Sequence, residues 1–534
     1  MLYPLFLTVA HYAAGFSIGQ ILLLQLTLDA CSAVLVAAIV MNVSGKRAGI
    51  IAGFMYACYG PIIFYAGLPL APCLTVFLML ISCFCLLRLI DENRPDPLWG
   101  IGAGLCFALV TIARPNSIIV LPAVLFLIWL RFRGEIKMFI RTAAILCISV
   151  VLPLVPFMVH NYATVATLSP YSLNGGINLY MGNHAGALGV MQTVEGVESS
   201  PGKQVIDSIR RASEKTGKVL SVKDANAYWV REALRFYLTD PGSGIVLLLR
   251  KAGIFLNTHE FACNNDYVFY KRFSRVMQLP LIVFGCVIPF VFIGLCIDAQ
   301  KRYGLLLLKL IFGMLFLSVV LCYVTARLRI VCVPFAIMLA ALGINRMMTY
   351  VKTKNYFPGA LAVVGIVCML TVSYRPVNSY GFKLEMTSSI NHTNYGIYLF
   401  HKTRYENAAQ ELESAIEFHQ YNSDAYTYLG KSYERLGKFE QALEAYEPLI
   451  DAGVANIDVF SAAGRLYMRK GQVASASEVY EQAYQLNPSN PLLCNTLGAV
   501  LISMNNLKSA ERYLREAIKL KHDYPDPYYN LSVV

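Results

Sequence analysis

Long apolar runs alternate with short polar connections over the first 375 residues, and a polar segment with a different period follows them. A run of roughly 17–25 apolar residues is long enough to cross a bilayer as a helix. The pattern therefore predicts a polytopic helix bundle, with a further short apolar helix over residues 4–16. The predicted spans are 18–42, 48–66, 72–90, 98–113, 117–131, 142–159, 276–297, 304–323, 329–346 and 358–374.

The composition agrees with an integral membrane protein. Of the 534 residues, 56% are hydrophobic and 15% are charged, whereas soluble proteins carry about 25% charged residues. The net charge of +12 indicates Lys and Arg gathered in cytoplasmic connections, so nucleic acid is not an expected partner. The fourteen Cys form no CxxC pair and no Cys/His cluster with zinc spacing. No cofactor is evident, and the sequence leaves a divalent metal open.

The basic residues also predict an orientation. They cluster at every other connection, for example at Lys46 and Arg47 and over 131–141, and the positive-inside rule places these connections in the cytoplasm. This arrangement puts Met1 outside, so we expect that an upstream helix is missing and that the chain begins late. The remaining connections, expected to be extracytoplasmic, are 67–71, 114–116, 160–275, 324–328 and everything after 375.

The polar C-terminal segment repeats every 34 residues. Gly396, Gly430, Gly464 and Gly498 keep this spacing, and so do Ala408, Ala442, Ala476 and Ala510. The pattern resembles the tetratricopeptide repeat, a helix–turn–helix unit that stacks into a solenoid. We expect a membrane domain over 1–380 and a repeat domain over 381–534. The array is either a surface for a protein partner or a spacer, and its end after Val534 looks cut short.

The stretch His160–Gly189 is rich in Gly and Asn and follows directly after an apolar run. Glycine allows a close backbone approach to a ligand, and amide side chains suit hydroxyl-rich partners. The stretch therefore predicts a substrate-facing loop at the membrane surface, although an ordinary connector has the same composition. Later in this loop the pattern predicts two helices, over 223–238 and about 243–256. The second of these helices carries Lys251, and Glu260 lies just beyond it.

Two short arginine motifs lie at connections expected on the same side, Arg114–Asn116 and Thr325–Arg329. A guanidinium fork suits phosphate oxygens, whereas an isolated boundary arginine often only extends its charge toward water. Asp29 lies inside the first predicted span. An intramembrane carboxylate is a functional candidate, but the favoured explanation is a neutral, hydrogen-bonded Asp that faces a neighbouring helix.

Together these segments resemble the GT-C type of integral-membrane glycosyltransferases. The nearest branch is the dolichyl-phosphate-mannose–protein mannosyltransferase family, which includes enzymes like lipid A aminoarabinose transferase. Some of these bacterial relatives also carry C-terminal tetratricopeptide repeats. The matching segments are LYPLFL at 2–7, YGPIIFYAGLPLAPCL at 59–74, GAGLCFALVTIARPNSIIVLP at 102–122, HNY at 160–162, SLNGGINLYMGN at 172–183, the segment with Lys251 and Glu260, and ARLRIVCVP at 326–334.

The resemblance implies an all-α fold in a bacterial-type inner or plasma membrane, with an extracytoplasmic loop domain and a repeat solenoid on the same side. It implies transfer of a sugar from a polyprenyl-phosphate donor to a protein, lipid or glycan acceptor. Arg327 and Arg329 would bind the donor phosphate. The residues that would shape the sugar and acceptor site are His160, Asn161, Asn178, Gly182, Asn183, Lys251 and Glu260.

No catalytic residue can be assigned from the resemblance. The family places its general base in the first outer loop, and by comparison with Tyr3–Pro4 that loop would lie upstream of Met1. Candidate replacements for this base are the loop acids Glu195, Glu198, Asp207, Asp240 and Glu260, and nothing in the sequence selects one of them. The alternative function is a non-catalytic membrane scaffold that recruits envelope proteins through its repeats. A transporter is a weaker third hypothesis, because only Asp29 is a clear charged residue in the middle of a span.

Overall fold

The protein is described here as a computed structural model, and it divides into two compact units, Met1–Phe382 and Lys383–Val534. Within the described ranges the chain is helical, and the only β contacts there are three isolated bridges. The all-α prediction is therefore confirmed. The structure describes residues 2–91, 95–171, 174–192, 194, 196–197, 201–262, 266–298, 303–354, 356–380, 385–420, 422–453 and 455–534.

The described residues of the first unit form twenty α-helices. In order they are α1 Leu2–Thr8, α2 Ile18–Ser44, α3 Lys46–Ala57, α4 Gly60–Ala66, α5 Pro72–Asp91, α6 Pro97–Ala113, α7 Val120–Phe132, α8 Ile136–Val151, α9 Val155–Val165, α10 Gly175–Met181, α11 Pro201–Thr216, α12 Val222–Thr239, α13 Pro241–Leu256, α14 Tyr267–Lys271, α15 Arg275–Gln278, α16 Phe284–Cys296, α17 Tyr303–Leu321, α18 Ala326–Arg329, α19 Val333–Lys352 and α20 Tyr356–Ser373. A π-helical turn, Val9–Ala13, follows α1, and 3₁₀ turns lie at Pro115–Ile119, Leu152–Leu154 and Val377–Tyr380.

Seven helical segments in the described residues are long and apolar enough to cross a membrane. They are Ile18–Ser44, Pro72–Asp91, Pro115–Phe132, Ile136–Val165, Tyr303–Leu321, Val333–Lys352 and Tyr356–Ser373. Within the described part of the first unit, two further apolar helices, α6 and α16, are shorter. The chain is thus an integral membrane protein.

Helices α16 and α19 pack closely in the core of this unit. A Cβ on Gly294 would lie 2.1 Å from the Leu339 carbonyl oxygen, and one on Gly343 would lie 2.2 Å from that of Phe290. Small residues of this kind let membrane helices approach backbone to backbone. Consistent with a central position, α19 is buried continuously over Val333–Gly343.

Two of the predicted spans are wrong as continuous helices, and the structure pairs their breaks with each other. The span 48–66 is interrupted at Cys58–Tyr59, and the span 276–297 is interrupted between α15 and α16. The Gly60 amide donates to the Ile282 carbonyl and the Ile282 amide donates to the Cys58 carbonyl, each over 2.9 Å. Backbone groups that leave a helix inside a membrane protein need such partners.

The predicted loop also begins later than expected. The helical path that starts at Ile136 passes through the 3₁₀ turn at Leu152–Leu154 and ends at Val165, so His160 and Asn161 lie on α9. Beyond it, α10, α11 and α12 enclose a small apolar cluster around Trp229. The Trp229 indole donates to the Ser208 carbonyl over 3.0 Å. The predicted helices at 223–238 and 243–256 are confirmed as α12 and α13.

In the second unit, the part of the chain that the structure describes forms nine helices, and successive helices pack on each other as the 34-residue period predicts. They are α21 Glu385–His401, α22 Tyr405–Phe418, α23 Ser423–Arg435, α24 Phe439–Asp451, α25 Ile457–Arg469, α26 Val473–Leu486, α27 Pro491–Ser503, α28 Leu507–Leu520 and α29 Pro525–Leu531. The periodic alanines Ala408, Ala442, Ala476 and Ala510 are fully buried.

The periodic glycines have a steric reason that recurs in each repeat. A Cβ on Gly430 would lie 2.3 Å from the Tyr446 ring, and one on Gly464 would lie 2.5 Å from the Tyr480 ring. Gly396 and Gly498 meet leucine side chains of the following helix in the same way. A side chain at this position would separate the two helices, so glycine recurs with the repeat.

Candidate functional site

A polar cavity of about 430 Å³ lies in the first unit where three connections between apolar helices meet, one of which is the long loop after α9. All three connections were predicted to share one side of the membrane. The lining residues are Ala113, Arg114, Pro115, Asn116, Thr167, Ser169, Tyr171, Asn174, Gly175, Asn178, Lys223, Asn226, Cys322, Tyr323 and Leu328. A cavity of this size with several amide and hydroxyl groups suits a small polar ligand.

The turn after α6 provides one wall of the cavity. The Arg114 guanidinium donates to the Arg327 carbonyl over 3.1 Å, and the Asn116 amide donates to the Ser318 hydroxyl over 3.1 Å. These two bonds fix the turn against the end of α17 and against α18. The predicted arginine motifs at 114–116 and 325–329 are therefore neighbours in space.

Asn161 and Asn178 are placed differently relative to this cavity. The Asn161 side chain is buried and donates to the Ser169 and Tyr171 carbonyls over 2.7 and 3.2 Å. Asn161 therefore fixes the segment 167–171, which lines the cavity, but Asn161 is not itself a lining residue. Asn178 lines the cavity itself, and its side-chain oxygen accepts from Gln204 over 3.3 Å. His160 lies on the exposed surface of α9 and is not among the lining residues.

Gly182, Asn183 and Lys251 form the contact between the loop and the end of α17. A Cβ on Gly182 would lie 2.1 Å from the Cys322 carbonyl oxygen, so only glycine permits this approach. The fully buried Lys251 ammonium donates to the Asn183 side-chain oxygen over 2.6 Å and to the Cys322 carbonyl over 2.9 Å. Asn183 in turn donates to the Leu179 and Leu321 carbonyls. A cation at the C-terminus of α17 is favoured by the helix dipole.

Arg329 and Glu260 form a buried ion pair of 2.9 Å, with exposed side-chain fractions of 1% and 4%. The Arg329 guanidinium also donates to the carbonyls of Phe255, Asn257 and His259, and it lies 4.4 Å above the Phe284 ring. Tyr59 donates to the same Glu260 oxygen over 3.4 Å. Arg329 and Glu260 thus join the end of α13, the start of α16 and the break between α3 and α4.

Arg327 has a different environment, although it is only two residues away. Its guanidinium is half-buried, and its Nε is buried without a hydrogen-bond partner among the described residues. Its carbonyl is bonded to Arg114, and the next residue, Leu328, lines the cavity. The Nε of Arg329 also lacks a partner in the described part of the chain, but its terminal nitrogens bond to Glu260 and to three carbonyls. Of the two predicted phosphate-binding arginines, Arg327 therefore has more unused donor capacity, and it lies beside the lining residue Leu328 without lining the cavity itself.

None of the residues that line the cavity in the described part of the chain carries a carboxylate. Glu195 and Glu198 lie outside the described residues. Asp207 pairs with Arg210 over 2.8 Å, and Asp240 accepts from the Ser243 amide at the start of α13. Among the described residues no group of His, Cys, Asp and Glu is arranged to hold a metal ion.

Burial shifts the pKa values of several titratable side chains in and around the loop. Desolvation lowers the pKa of Lys251 to about 8. Burial and the neighbouring charge of Lys251 lower the pKa of His184. The pKa of His259 is lowered mainly by burial, and burial raises the pKa of Tyr171. In each case the environment disfavours the charged form of the side chain.

The sequence did not single out Lys223 and Asn226, which extend into the lining from the start of α12. The Asn226 side chain accepts from the Gly176 amide over 2.6 Å and joins α12 to α10. Both residues lie one turn apart in a helix whose pattern indicates only an amphipathic segment. Their role depends on long-range contacts that the pattern does not encode.

Comparisons with known proteins find matches in both the membrane part and the repeat part of the chain. Residues 1–159 match the family described as dolichyl-phosphate-mannose-protein mannosyltransferase, and residues 427–491 and 467–532 match tetratricopeptide repeat families. No curated protein matches the chain.

Similar solved structures align with about a quarter of the chain. YrrB, a tetratricopeptide repeat protein with an unusual peptide-binding site, is 22% identical, with 27% of this chain and 75% of that one covered and a TM-score of 0.26. MamA is 17% identical, and the alignment covers 27% of this chain and 80% of MamA with a TM-score of 0.26. A tetratricopeptide repeat protein from Parabacteroides merdae is 19% identical, and the alignment covers 27% of this chain and 58% of that protein with a TM-score of 0.26.

The resemblance that the sequence motifs indicated is thus confirmed over residues 1–159 by the family match, and for the polar segment by the repeat families. The chain is a membrane protein that combines a domain like those of the dolichyl-phosphate-mannose-protein mannosyltransferase family with C-terminal tetratricopeptide repeats.

Proposed function

We propose that this protein binds a polyprenyl-phosphate sugar at the cavity beside Arg114 and Arg327 and takes part in transfer of the sugar to a hydroxyl acceptor on the extracytoplasmic side. The match of residues 1–159 to a mannosyltransferase family supports the reaction class. The observation that carries the proposal is the half-buried Arg327 guanidinium, which keeps an unpaired buried donor next to a polar cavity.

The donor phosphate is bound by Arg327. Its guanidinium donates to the phosphate oxygens and stabilises the negative charge that grows on the leaving phosphate as the bond to the sugar breaks. Lys223, at the exposed start of α12, adds a second positive charge to the lining. The lining amides of Asn174, Asn178 and Asn226 provide hydrogen bonds to sugar hydroxyls.

The other predicted site residues act by positioning in this proposal. Arg329 and Glu260 hold the segment around α18, and Lys251 with Asn183 and Gly182 holds the loop against the end of α17. Apart from the Nε of Arg329, their side-chain polar atoms bond within the protein, so these residues determine where Arg327 and Asn178 lie. His160, on the exposed surface of α9, has no assigned contact with the donor.

The acceptor hydroxyl must lose a proton during transfer, and a carboxylate is the group best suited to take it. The described lining offers no such group. We infer that the acid comes either from a segment outside the described residues or with the acceptor. The repeat unit is proposed to present a protein acceptor or partner.

The second candidate is the membrane scaffold, and the carboxylate-free lining favours it. In that function the repeats recruit an envelope protein and the first unit serves as an anchor. The two candidates differ in one property: the enzyme binds a lipid-linked sugar with a specific demand for its phosphate, and the scaffold does not.

The test is equilibrium binding of a polyprenyl-phosphate sugar to the purified chain in nanodiscs, with the matching phosphate-free polyprenyl glycoside as control. The proposal expects saturable binding of the phosphate form and at least tenfold weaker binding of the control. Transfer of labelled sugar to envelope proteins, measured in membranes, then tests whether bound donor is used. Equal binding of both lipids, or no binding of either, would contradict the proposal.

A further inference from the structure

The outward face of α12 is apolar at its C-terminal end. The inward face places Ala225, Trp229 and Ala233 in the core of the loop domain. On the opposite face Leu234 and Leu238 follow one another at one helical turn, and Leu238 is 81% exposed. A surface helix normally presents polar residues there, so this face is adapted to something other than water.

The following helix, α13, repeats the pattern. It buries Leu247, Lys251 and Phe255 and leaves Ile245, Val246 and Leu249 exposed on the other side. Leu249 is 67% exposed. The two helices are joined by a single tight turn, and a Cβ on Gly244 would lie 2.5 Å from the Tyr237 ring. The five exposed residues therefore belong to one compact hairpin, α12–α13.

The surroundings of the hairpin identify its partner. The buried side of α13 packs on α16, α17 and α20. Helix α20 is a candidate membrane span whose apolar window is only 6% buried, so its remaining surface faces lipid. The exposed apolar residues of α13 thus continue a lipid-facing surface. On α12 the exposed Arg231 and Arg235 flank the two leucines, which is the arrangement of a helix that lies among lipid phosphates.

We propose that the outward face of the α12–α13 hairpin, formed by Leu234, Leu238, Ile245, Val246 and Leu249, lies in the headgroup–acyl boundary of the bilayer. Its partner is a phospholipid surface. The arginines bind lipid phosphates, while the leucines and β-branched residues enter the acyl region. The inference is independent of sugar transfer, because it applies equally to an enzyme and to a scaffold.

This contact has a consequence for the cavity. The same helix, α12, contributes Lys223 and Asn226 to the cavity lining at its other end. A hairpin fixed in the boundary region therefore sets the height of the cavity above the membrane. A lipid-linked ligand can then keep its chain in the leaflet while its polar group reaches the lining.

The test measures the depth of single side chains in vesicles of phosphatidylethanolamine and phosphatidylglycerol. p-Azidophenylalanine replaces Leu238 or Leu249 in the full chain and is coupled to a nitroxide, which leaves the native cysteines unlabelled. The control position is Lys218, an exposed residue between α11 and α12. Collision rates are measured with oxygen, which concentrates in the bilayer, and with a nickel chelate, which stays in water.

We expect oxygen collisions to exceed chelate collisions severalfold at positions 238 and 249, and the opposite ratio at position 218. Chelate-dominated collisions at 238 and 249 would place the hairpin in water and overturn the proposal. Low collision rates with both reagents would mean that a protein surface, such as a second copy of the chain, covers it, and would overturn it as well. Ile245 and Val246 are replicate positions, since their side chains are also exposed and labels there disturb no packing.

Discussion

Two regions of the first unit use positive charge in opposite ways. Around Arg329 and Lys251 the charges are buried, and apart from the Nε of Arg329 their donors are taken by carbonyls, an amide and one carboxylate. Lys223 lines the cavity, whereas Arg327 lies beside the lining residue Leu328 and keeps an Nε without a partner among the described residues. The difference shows that cations close in sequence can serve separate purposes, one in joining segments and the other in meeting a ligand.

The largest expected effect is the loss of stability when the buried ion pair between Arg329 and Glu260 is broken. Arg329→Met leaves the Glu260 carboxylate buried without its cation, and it also leaves three carbonyls without a donor. Breaking such a pair costs about 3–5 kcal/mol. We expect a large fall in the midpoint of thermal unfolding in detergent, or no folded protein.

The matched control is Arg235→Gln, whose side chain is 71% exposed and which should change stability by no more than about 0.5 kcal/mol. Adding Glu260→Leu to Arg329→Met should recover part of the loss, because the orphaned carboxylate is then gone. Equal stability of Arg329→Met and the parent would show that the pair does not hold the segments together.

A smaller effect is expected where the loop meets α17. Gly182→Ala places a methyl group 2.1 Å from the Cys322 carbonyl oxygen, and such overpacking costs about 1–3 kcal/mol. Gly186→Ala is the control, because its Cβ would lie 3.5 Å from the nearest atom, in the His184 side chain. Thermal unfolding of the two variants should differ, and identical midpoints would rule out the close contact.

The buried lysine predicts a pH dependence. The pKa of Lys251 is lowered to about 8 from an ordinary value of 10.5, so the unfolded chain binds more protons than the folded one between these values. The cost of burying the charge is fully present below pH 8 and disappears as the pH rises toward 10. Relative to Lys251→Met, the parent should therefore gain roughly 1–3 kcal/mol of stability over this range.

The measurement compares the unfolding midpoints of parent and Lys251→Met from pH 7 to pH 10, so that other titrating groups cancel. A difference that stays constant with pH, or that moves against the parent as the pH rises, would contradict the lowered pKa. The charge of Lys251 also lowers the pKa of His184, so removing that charge in Lys251→Met should raise the His184 pKa in an NMR titration.

The smallest effect is expected at the rim of the cavity. Lys223 is exposed at the start of α12, and an exposed charge contributes at most about 1 kcal/mol to an ionic contact. Lys223→Gln should weaken binding of a polyprenyl-phosphate sugar by no more than about fivefold. The loss should shrink at high salt, and a salt-independent or much larger loss would place Lys223 in direct contact with the phosphate.

Much of the fold could be predicted from local pattern. The 34-residue period identified the repeats because the same steric contact, glycine against the next helix, recurs in every frame. Apolar length located most of the spans. Two spans broke because Cys58 and Gly60 exchange backbone bonds with Ile282 more than two hundred residues away, and no local pattern encodes that pairing.

The candidate site was predictable in part. The sequence motifs singled out Arg327 and Asn178, which lie beside the cavity or in its wall. By the same criterion of residue type they singled out Arg329, Lys251 and Asn183, whose side chains bond within the protein. Residue type alone cannot separate these groups, since a guanidinium or ammonium that binds protein carbonyls looks the same in sequence as one that binds a phosphate. Burial and partner geometry separate them, and both depend on the fold.

The central claim is that Arg327 binds the donor phosphate, whereas Arg329 only holds the segment around α18 in place. The direct test measures binding of a polyprenyl-phosphate sugar, together with thermal stability, for the parent and for Arg327→Gln in nanodiscs. Because a charged hydrogen bond contributes about 1.5–3 kcal/mol, we predict binding weaker by about 10- to 100-fold at an unchanged unfolding midpoint. Unchanged binding by a stable Arg327→Gln variant would contradict the account.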